Sequence, residues 1–374
     1  MVRCDSSTAL NPGDRAVVRG KIYPFTARHG GYGRLMTRRG YVGTLYLNRS
    51  SLLLRDTLHR ELSPKHLSLF LHERAVARLD RLALAPDEQA LCNAMTAGDR
   101  RSLSPALRAA YSRSGTSHLL AVSGLHVGIV FLLANLLLWW LPLFRHGHIL
   151  RNIAVILLIW LYAATTGFPP SVVRAALMFS VLQFALASSS EYVGMNTLAG
   201  VAFVMLLFHP DYLFDISFQL SFIAVAGIIA WGLPLCRLLR TRRKSIDMLT
   251  ATLAIGFSAS AATAPLISHT FGQISVVGLA LNPVVILLSY VVVGSCTLWL
   301  VIPGTALAPL FSVVAGFAAR AQNELIRAAA ALPAAALDIR LTTTQCWIVY
   351  GLFIFATLLL WSAERKKSVS SLPE

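Results

Sequence analysis

Residues 273–302 read QISVVGLALNPVVILLSYVVVGSCTLWLVI, an apolar run of thirty residues without one charged side chain. A helix needs about 20 apolar residues to cross a bilayer. Further apolar runs lie at about 118–144, 149–167, 172–189, 196–208, 216–236, 248–268, 304–332 and 344–362. The chain of 374 residues is 56% hydrophobic and only 13% charged, whereas soluble domains carry roughly 25% charged residues. We therefore predict a mainly α-helical, polytopic membrane bundle with broken helices.

Two of these runs are ambiguous. The run 196–208 reaches spanning length only if Pro210 to Phe214 is included. The run 304–332 contains Arg320, Asn323, Glu324 and Arg327. It either crosses the bilayer or lies in the membrane interface, where charged side chains reach water.

The first 117 residues have a different character. Alternating residues in Arg15–Tyr23, a Gly30–Gly33 turn and the run Tyr41–Leu47 predict strands of a small barrel, or part of one, within residues 1–58. Residues 59–117 are predicted to form an amphipathic helical segment, with a second helix from Pro86 that ends near Gly98. The membrane core is predicted to occupy residues 118–374. The apolar stripe of the helical segment comprises Leu67, Phe70, Leu71, Val76, Leu79 and Leu82.

Charge is concentrated in the same N-terminal part. Residues 1–117 hold 19 Lys/Arg and 9 Asp/Glu, so they carry +10 of the net +16. A basic extramembrane domain attracts phosphates of lipid or of nucleic acid, or it serves only solubility. The loop Arg237–Lys244 has five Lys/Arg, which predicts a cytoplasmic loop and, by alternate crossings, an N-terminal domain on the outside. The C-terminal tail is cytoplasmic if the run 304–332 spans, and outside if it does not.

No enzymatic constellation is apparent. The five cysteines lack metal-ligand spacing, and no Ser-His-Asp order, phosphate-binding loop or carboxylate pair stands out. We predict no enzymatic activity, metal or cofactor for this chain. The first ten residues contain no signal peptide pattern.

Polar residues inside apolar spans are costly, so their positions point to function. The first cluster, residues 115–128 (GTSHLLAVSGLHVG), carries His118, Ser123, Gly124 and His126. On one continuous helix the two histidines would lie roughly 80° apart, so they could line one polar groove or make a polar contact between helices. Two histidines without a nearby carboxylate or thiol make a poor metal site. Gly124 and Gly128 predict close approach of another helix.

The second cluster, residues 165–175 (TTGFPPSVVRA), ends one helix at Pro169-Pro170 and starts another. Ser171 is expected to cap the new helix. Arg174 lies one turn inside it, where it either contributes positive potential for a phosphate or extends to the lipid headgroups.

The third and fourth clusters lie further along the chain. Ser217, Gln219 and Ser221 lie in residues 211–222, and the two serines would share a helix face, where hydrogen bonds between helices are the simpler interpretation. Asn282 and Pro283, with Pro265 upstream, predict broken helices. Free backbone groups at membrane depth are tolerated where they line a cavity, as in transport proteins.

Four strings in this order, SHLLAVSGLHVG, TGFPPSVVRAALM, LFDISFQLSFIAVAGI and APLISHTFGQISVVGLALNP, resemble the membrane core of ComEC-type competence proteins. GDRAVVRGKIYPF and GYVGTLYLN resemble the end of that family's OB-fold domain. The resemblance covers residues 13–302 in good order and extends loosely to 362. It implies a partial OB-like domain on the outer face of a bacterial inner membrane.

The resemblance also implies a function, which is conducting single-stranded DNA into the cytoplasm during natural transformation. It implies contact with membrane lipid, a cytoplasmic helicase-type ATPase, a periplasmic DNA receptor, a separate nuclease and homo-oligomers. The motif positions carried over to this chain are His118, Ser123, Gly124, His126, Ser171, Arg174, Gln219, Ser221, Asn282 and Pro283.

The chain departs from many members in two respects, because N-terminal spans and a C-terminal metallo-β-lactamase-like domain are expected to be missing. No nuclease activity is therefore expected. Two other hypotheses remain open. The same core could transport a small anionic or lipid-linked solute, or the chain could be a truncated, inactive copy.

Overall fold

A computed structural model describes residues 2–4, 15–24, 37, 42–47, 51–56, 64–187, 194–272, 274–275, 277–302, 307–332 and 336–370. The chain divides into two compact units, Met1–Arg74 and Ala75–Glu374. Each unit is described by itself.

In the described part of the first unit, five short strands form two small sheets. Strand β4 (Gly43–Leu47) lies between β1 (Val2–Cys4), which is parallel to it, and β3 (Ile22–Pro24), which is antiparallel. Strands β2 (Arg15–Val18) and β5 (Leu52–Asp56) pair separately and antiparallel. The predicted strand runs are thus confirmed, and the predicted Gly30–Gly33 turn lies outside the described residues.

Helix α1 (Pro64–Leu79) crosses the boundary between the two units. Twelve further described helices follow it: α2 (Pro86–Thr96), α3 (Pro105–Arg113), α4 (Gly124–Leu137), α5 (Gly147–Thr165), α6 (Pro170–Ala187), α7 (Gly194–Phe208), α8 (Ile216–Gly227), α9 (Leu233–Leu238), α10 (Lys244–Phe271), α11 (Val277–Val301), α12 (Ala308–Ala330) and α13 (Thr343–Ser370). Strands β6 (Ile274–Ser275) and β7 (Ala336–Leu337) pair antiparallel between helices.

Among the described residues, five segments are long and apolar enough to cross a membrane: Gly124–Leu143, Gly147–Thr165, Ile216–Leu238, Ile246–Phe271 and Leu281–Val301. Shorter apolar helices lie at Pro170–Phe184, Gly194–Phe208 and Thr343–Leu358. The predicted helical membrane bundle is therefore confirmed. The run 196–208 is indeed short, because a 3₁₀ turn at Pro210–Phe214 follows it.

One core joins the predicted amphipathic segment to the C-terminal helices. Leu91 and Met95 of α2 are fully buried in the same cluster as Val292 of α11 and Ala319 of α12. The hydroxyl of Tyr111 in α3 extends this contact, as it donates to Asn323 Oδ1 at 3.1 Å. Residues from Ala75 onward thus share a unit with the membrane helices.

Helix α12 packs along α11 and against α2 and α3. Its polar residues face these neighbours, since Gln322 and Asn323 are buried and Arg320 Nε donates to Glu88 Oε1 at 2.7 Å. Asn323 is therefore buried within the protein and Arg320 pairs with Glu88, whereas the side chains of Glu324 and Arg327 remain 67% and 43% exposed.

Helices α10 and α11 correct one prediction. Both run without interruption through Pro265 and Pro283, where the sequence predicted breaks. Neighbouring groups can satisfy the backbone around a proline inside a membrane helix, and the Tyr350 hydroxyl donates to the Ala262 carbonyl at 3.2 Å, close to Pro265. The irregular segments lie elsewhere, at residues 121–123, at 166–169, at the π-helical turn Ile228–Gly232 and after Gly272.

Candidate functional site

Helices α4 and α6 begin next to each other, and this contact forms one wall of the candidate site. Ser171 is the second residue of α6, and its hydroxyl donates to the Val122 carbonyl at 2.9 Å. Ser171 therefore ties two segments together and does not act as the predicted helix cap. A methyl group at Gly124 would lie 3.6 Å from Cβ of Ala175. One at Gly128 would lie 3.2 Å from the Phe179 ring, so the predicted close approach at both glycines is confirmed.

His126 is fully buried at the start of α4. Its Nδ1 accepts the backbone N–H of Ser123 at 3.1 Å and lies 2.9 Å from the Ser123 hydroxyl oxygen. A nitrogen that accepts a backbone N–H carries no proton, so the proton of the neutral ring is on Nε2. Nε2 has no hydrogen-bond partner among the described residues. His126 thus presents a buried donor that lacks an acceptor.

Arg174 is 2% exposed in the second turn of α6. Its Cζ lies 5.3 Å from the centre of the Phe222 ring in α8, at cation–π distance. The charge of Asp215 also acts on it. Within the described part of the chain, Nη1 has no hydrogen-bond partner. Arg174 is therefore a second buried side chain with N–H groups that have no acceptor.

Asp215, which brings α8 to this place, was missed in the sequence. Its carboxylate caps α8 by accepting the backbone N–H groups of Ser217 at 2.8 Å and Phe218 at 3.2 Å. The sequence contained a signal for this role, because an aspartate directly before an apolar helix is a frequent N-cap. The N-termini of α4 and α6 adjoin, and α8 packs on α6 where Arg174 meets Phe222. Helix N-termini carry partial positive charge.

The predicted residues of the third cluster are placed differently. Gln219 Nε2 donates to the Leu213 carbonyl at 2.8 Å, and Gln219 also lines a groove between α8, α10 and α13. Ser217 is exposed and Ser221 is half-buried. None of the described contacts joins these three side chains to His126.

The first and fourth clusters meet through small residues. Gly115 has φ +73°, and a methyl group there would lie 2.3 Å from Cβ of Ser275. Gly278 of α11 lies against the Ser114 carbonyl, 2.9 Å from where its own Cβ would be. Asn282 follows one turn later, and its Oδ1 is a buried acceptor without a partner among the described residues. Pro283 is the next residue of the same helix.

His118 and His126 do not share a helix, so the predicted common face is wrong. His118 lies in a 3₁₀ turn, Ser117–Leu120, and is exposed, whereas His126 lies in α4 and is buried. The helix starts only at Gly124, because Ser123 adopts an extended conformation and caps it together with His126.

A second polar group lies between α4, α5 and α6 and was also missed. Arg151 Nη2 donates to Asn135 Oδ1 at 3.0 Å, and Gln183 Nε2 donates to Asn152 Oδ1 at 2.6 Å. Asn135 Nδ2 links the two pairs through a long contact of 3.5 Å with Gln183 Oε1. Asn135 in an apolar run was the available signal.

The groups at the candidate site are those that suit an anion. His126 and Arg174 offer donors, the N-termini of α4 and α6 add positive potential, and Phe222 provides an aromatic face, while the Asp215 carboxylate offsets the N-terminus of α8. Among the described residues, no three of His, Cys, Asp and Glu come together as a metal site would require.

Comparisons with known proteins agree with this architecture. Residues 95–366 match the family described as Competence protein. The chain is 33% identical over 204 residues to ComE operon protein 3 of Bacillus subtilis (strain 168), which covers 53% of this chain and 24% of that protein. It is 29% identical over 201 residues to an uncharacterized protein of Aquifex aeolicus (strain VF5), which covers 53% of this chain and 45% of that protein.

The match thus spans less than half the length of either relative. No solved structure matches the chain. The family match extends over most of the second unit, from α2 to α13, and includes the candidate site and all five apolar spans. This chain is a multi-pass membrane protein that belongs to the Competence protein family.

Proposed function

We propose that the helical bundle conducts single-stranded DNA across the bacterial inner membrane during natural transformation, with the His126–Arg174 site as a contact for passing phosphates. The observation that carries the proposal is the pair of buried, unpartnered donors on His126 Nε2 and Arg174 Nη1. A buried donor without an acceptor costs about 1–3 kcal/mol. Such groups therefore favour a ligand that brings acceptors, and each phosphodiester of DNA brings two non-bridging oxygens that share one negative charge.

The name of the family and the B. subtilis relative support competence as the setting. The excess of Lys/Arg over Asp/Glu in residues 1–117 supports a polyanion as the substrate. The proposal places the N-terminal domain outside and the loop 237–247 in the cytoplasm, following the positive-inside rule. The energy source, a periplasmic DNA receptor and a nuclease would come from partner proteins, and homo-oligomers are compatible with this arrangement.

The decisive test exchanges Arg174 in the competent host that carries this chain. Arg174→Gln removes the charge and keeps a polar side chain, and Arg174→Lys keeps the charge. A charge-assisted hydrogen bond is worth about 1.5–3 kcal/mol, so we expect internalised DNA to fall about 10-fold to 100-fold in Arg174→Gln. The Lys variant should lose less.

The readouts are nuclease-protected DNA inside the cell and DNA bound at the surface. Surface binding should remain unchanged in both variants. Arg145→Gln is the matched control, because Arg145 is an exposed arginine outside the site. Normal internalisation by an Arg174→Gln protein that is present at wild-type level would contradict the proposal.

A second candidate function is transport of a small anionic or lipid-linked solute. It is favoured by the same site, since one arginine and one histidine match a single phosphate group. Uptake of radiolabelled inorganic phosphate into proteoliposomes, dependent on Arg174 and unaffected by added DNA, would support this alternative.

A further inference from the structure

A groove of about 690 Å³ runs between helices α8, α10 and α13, away from the Arg174 side chain. Its walls are mainly apolar and include Ile223 and Ala226 of α8, Leu266 of α10, and Phe353 and Leu358 of α13. Helices α8 and α10 belong to candidate spans, so the groove lies at the depth of the hydrocarbon core. Water is a poor occupant for such a space.

Three polar side chains in the walls, Trp231, Thr357 and Tyr350, already have partners. Trp231 Nε1 donates to Thr357 Oγ1 at 2.7 Å, and the Thr357 hydroxyl donates to the Phe353 carbonyl at 2.8 Å. The Tyr350 hydroxyl donates to the Ala262 carbonyl at 3.2 Å. The middle of the groove therefore offers little to a nucleic acid or a polar solute and favours a hydrocarbon chain.

One end of the groove is polar. Gln219 lies four residues into its span and His269 lies three residues from the end of its span, so both belong near the membrane interface. His269 Nδ1 is 3.0 Å from the Leu341 carbonyl and must donate to it, which leaves Nε2 of the neutral ring as an acceptor. The Gln219 amide donates to the Leu213 carbonyl and keeps a second N–H.

The length of the groove fits one half of a bilayer. Gln219 and Trp231 are twelve residues apart, about 18 Å at the rise of an α-helix. The hydrocarbon part of one leaflet is about 15 Å thick, half of the roughly 30 Å of the whole core. A polar end at the interface followed by an apolar channel of one leaflet's depth matches the shape and polarity of a single phospholipid.

We propose that this groove is a phospholipid-binding site. One acyl chain lies between α8, α10 and α13, and the ester region lies beside Gln219 and His269, in the leaflet opposite the loop Arg237–Lys244. The bound lipid would pack against α13, which contacts α10 and, through Thr357 and Phe353, Trp231. This role does not depend on what the bundle conducts.

Trp231 and Trp347 line the groove and report on its occupant. The full-length chain, purified and delipidated in detergent, is titrated with a phosphatidylcholine that carries a dibrominated acyl chain, which quenches nearby tryptophan fluorescence. We expect quenching that saturates near one lipid per chain. Trp231→Phe should remove a large part of the saturable signal while leaving the binding stoichiometry unchanged.

Two replacements of alanine by phenylalanine, one inside the groove and one outside it, test where the lipid binds. Ala226→Phe fills the groove and should abolish saturable quenching, while Ala356→Phe, an exposed position on α13 outside the groove, should leave it intact. Melting temperatures of both variants check that they fold, and Trp231→Phe tests the site without filling it. Quenching that rises linearly and equally in all variants would overturn the proposal. So would light scattering that finds a dimer for the wild type and a monomer for Ala226→Phe, since a second copy would then occupy the groove.

Discussion

At the scale of single residues, the two nitrogens of His126 have different tasks. Nδ1 accepts the Ser123 backbone N–H at the start of α4, and Nε2 carries the free donor. Sequence alone identified His126 as a candidate. Which ring nitrogen accepts and which donates could not be predicted, because this depends on the extended conformation of Ser123 and on the helix starting at Gly124.

Two amide replacements separate these tasks. In His126→Asn the amide oxygen can replace Nδ1 as the acceptor, and in His126→Gln the amide nitrogen can replace Nε2 as the donor. We expect the Asn variant to keep its thermal stability in detergent and to lose DNA internalisation. The Gln variant should lose about 1 kcal/mol of stability through the weakened cap and retain more transport. Equal transport by both variants would contradict a role for Nε2.

Gly115 is constrained by both its backbone and its neighbour. Its φ of +73° disfavours any side chain, and a methyl group would also meet Cβ of Ser275 at 2.3 Å. Gly167 has φ +86° but has open space around it. Gly167→Ala should therefore cost about 1–2 kcal/mol for the left-handed conformation alone. Gly115→Ala should cost about 1–3 kcal/mol more because of overpacking.

Chemical unfolding of both glycine variants in the same detergent measures this difference. Equal destabilisation of the two variants would mean that the space between Gly115 and Ser275 accommodates a methyl group, contrary to the 2.3 Å distance.

At the scale of helices, the apolar runs were predictable and their partners were not. Length and hydropathy located the five spans. The breaks expected at Pro265 and Pro283 were wrong, because a membrane helix tolerates proline where neighbours satisfy its carbonyls. The packing of α2 and α3 on α12 depends on pairs such as Tyr111 and Asn323, which are 212 residues apart, and no local pattern indicates such a pair.

This packing gives a prediction for Tyr111. Its hydroxyl donates to Asn323 Oδ1 at 3.1 Å and accepts from Gln322 Nε2 at 3.2 Å, all within a buried cluster. Tyr111→Phe leaves two buried amides short of a partner and should lower the free energy of unfolding by about 1–3 kcal/mol. Tyr290→Phe, at an exposed site on α11, should change it by less than about 0.5 kcal/mol. Thermal melts of the two variants compare them, and a silent Tyr111→Phe would contradict the coupling of α3 to α12.

At the scale of the whole molecule, the shared core of α2, α3, α11 and α12 defines the folding unit. A chain that begins at Ala75 keeps this core, whereas one that begins at His118 exposes the apolar residues that Leu91 and Met95 now cover. We expect the first to elute as a single species in detergent and the second to aggregate. A well-behaved second protein would show that residues 75–117 are an independent appendage.

Orientation is a property of the whole chain as well. The proposal requires the loop Arg237–Lys244 in the cytoplasm and the N-terminal domain outside. Single cysteines introduced at Arg240 and at Ser51 in a cysteine-free background should react differently with a membrane-impermeant maleimide. Ser51 should be labelled in spheroplasts and Arg240 only after lysis. The reverse pattern would invert the proposed direction of transport.

The close contact between Gly115, Ser275 and Gly278 limits which substitutions this protein can accept during evolution. Every replacement of glycine adds a Cβ, so no single codon change at Gly115 or Gly278 avoids a collision with the facing loop. At Gly115, an earlier change of Ser275 to glycine would remove the collision with Cβ, whereas at Gly278 the facing atom is the Ser114 backbone carbonyl, which no substitution removes. Relatives with another residue at position 115 should therefore carry a compensating glycine at the position that faces it.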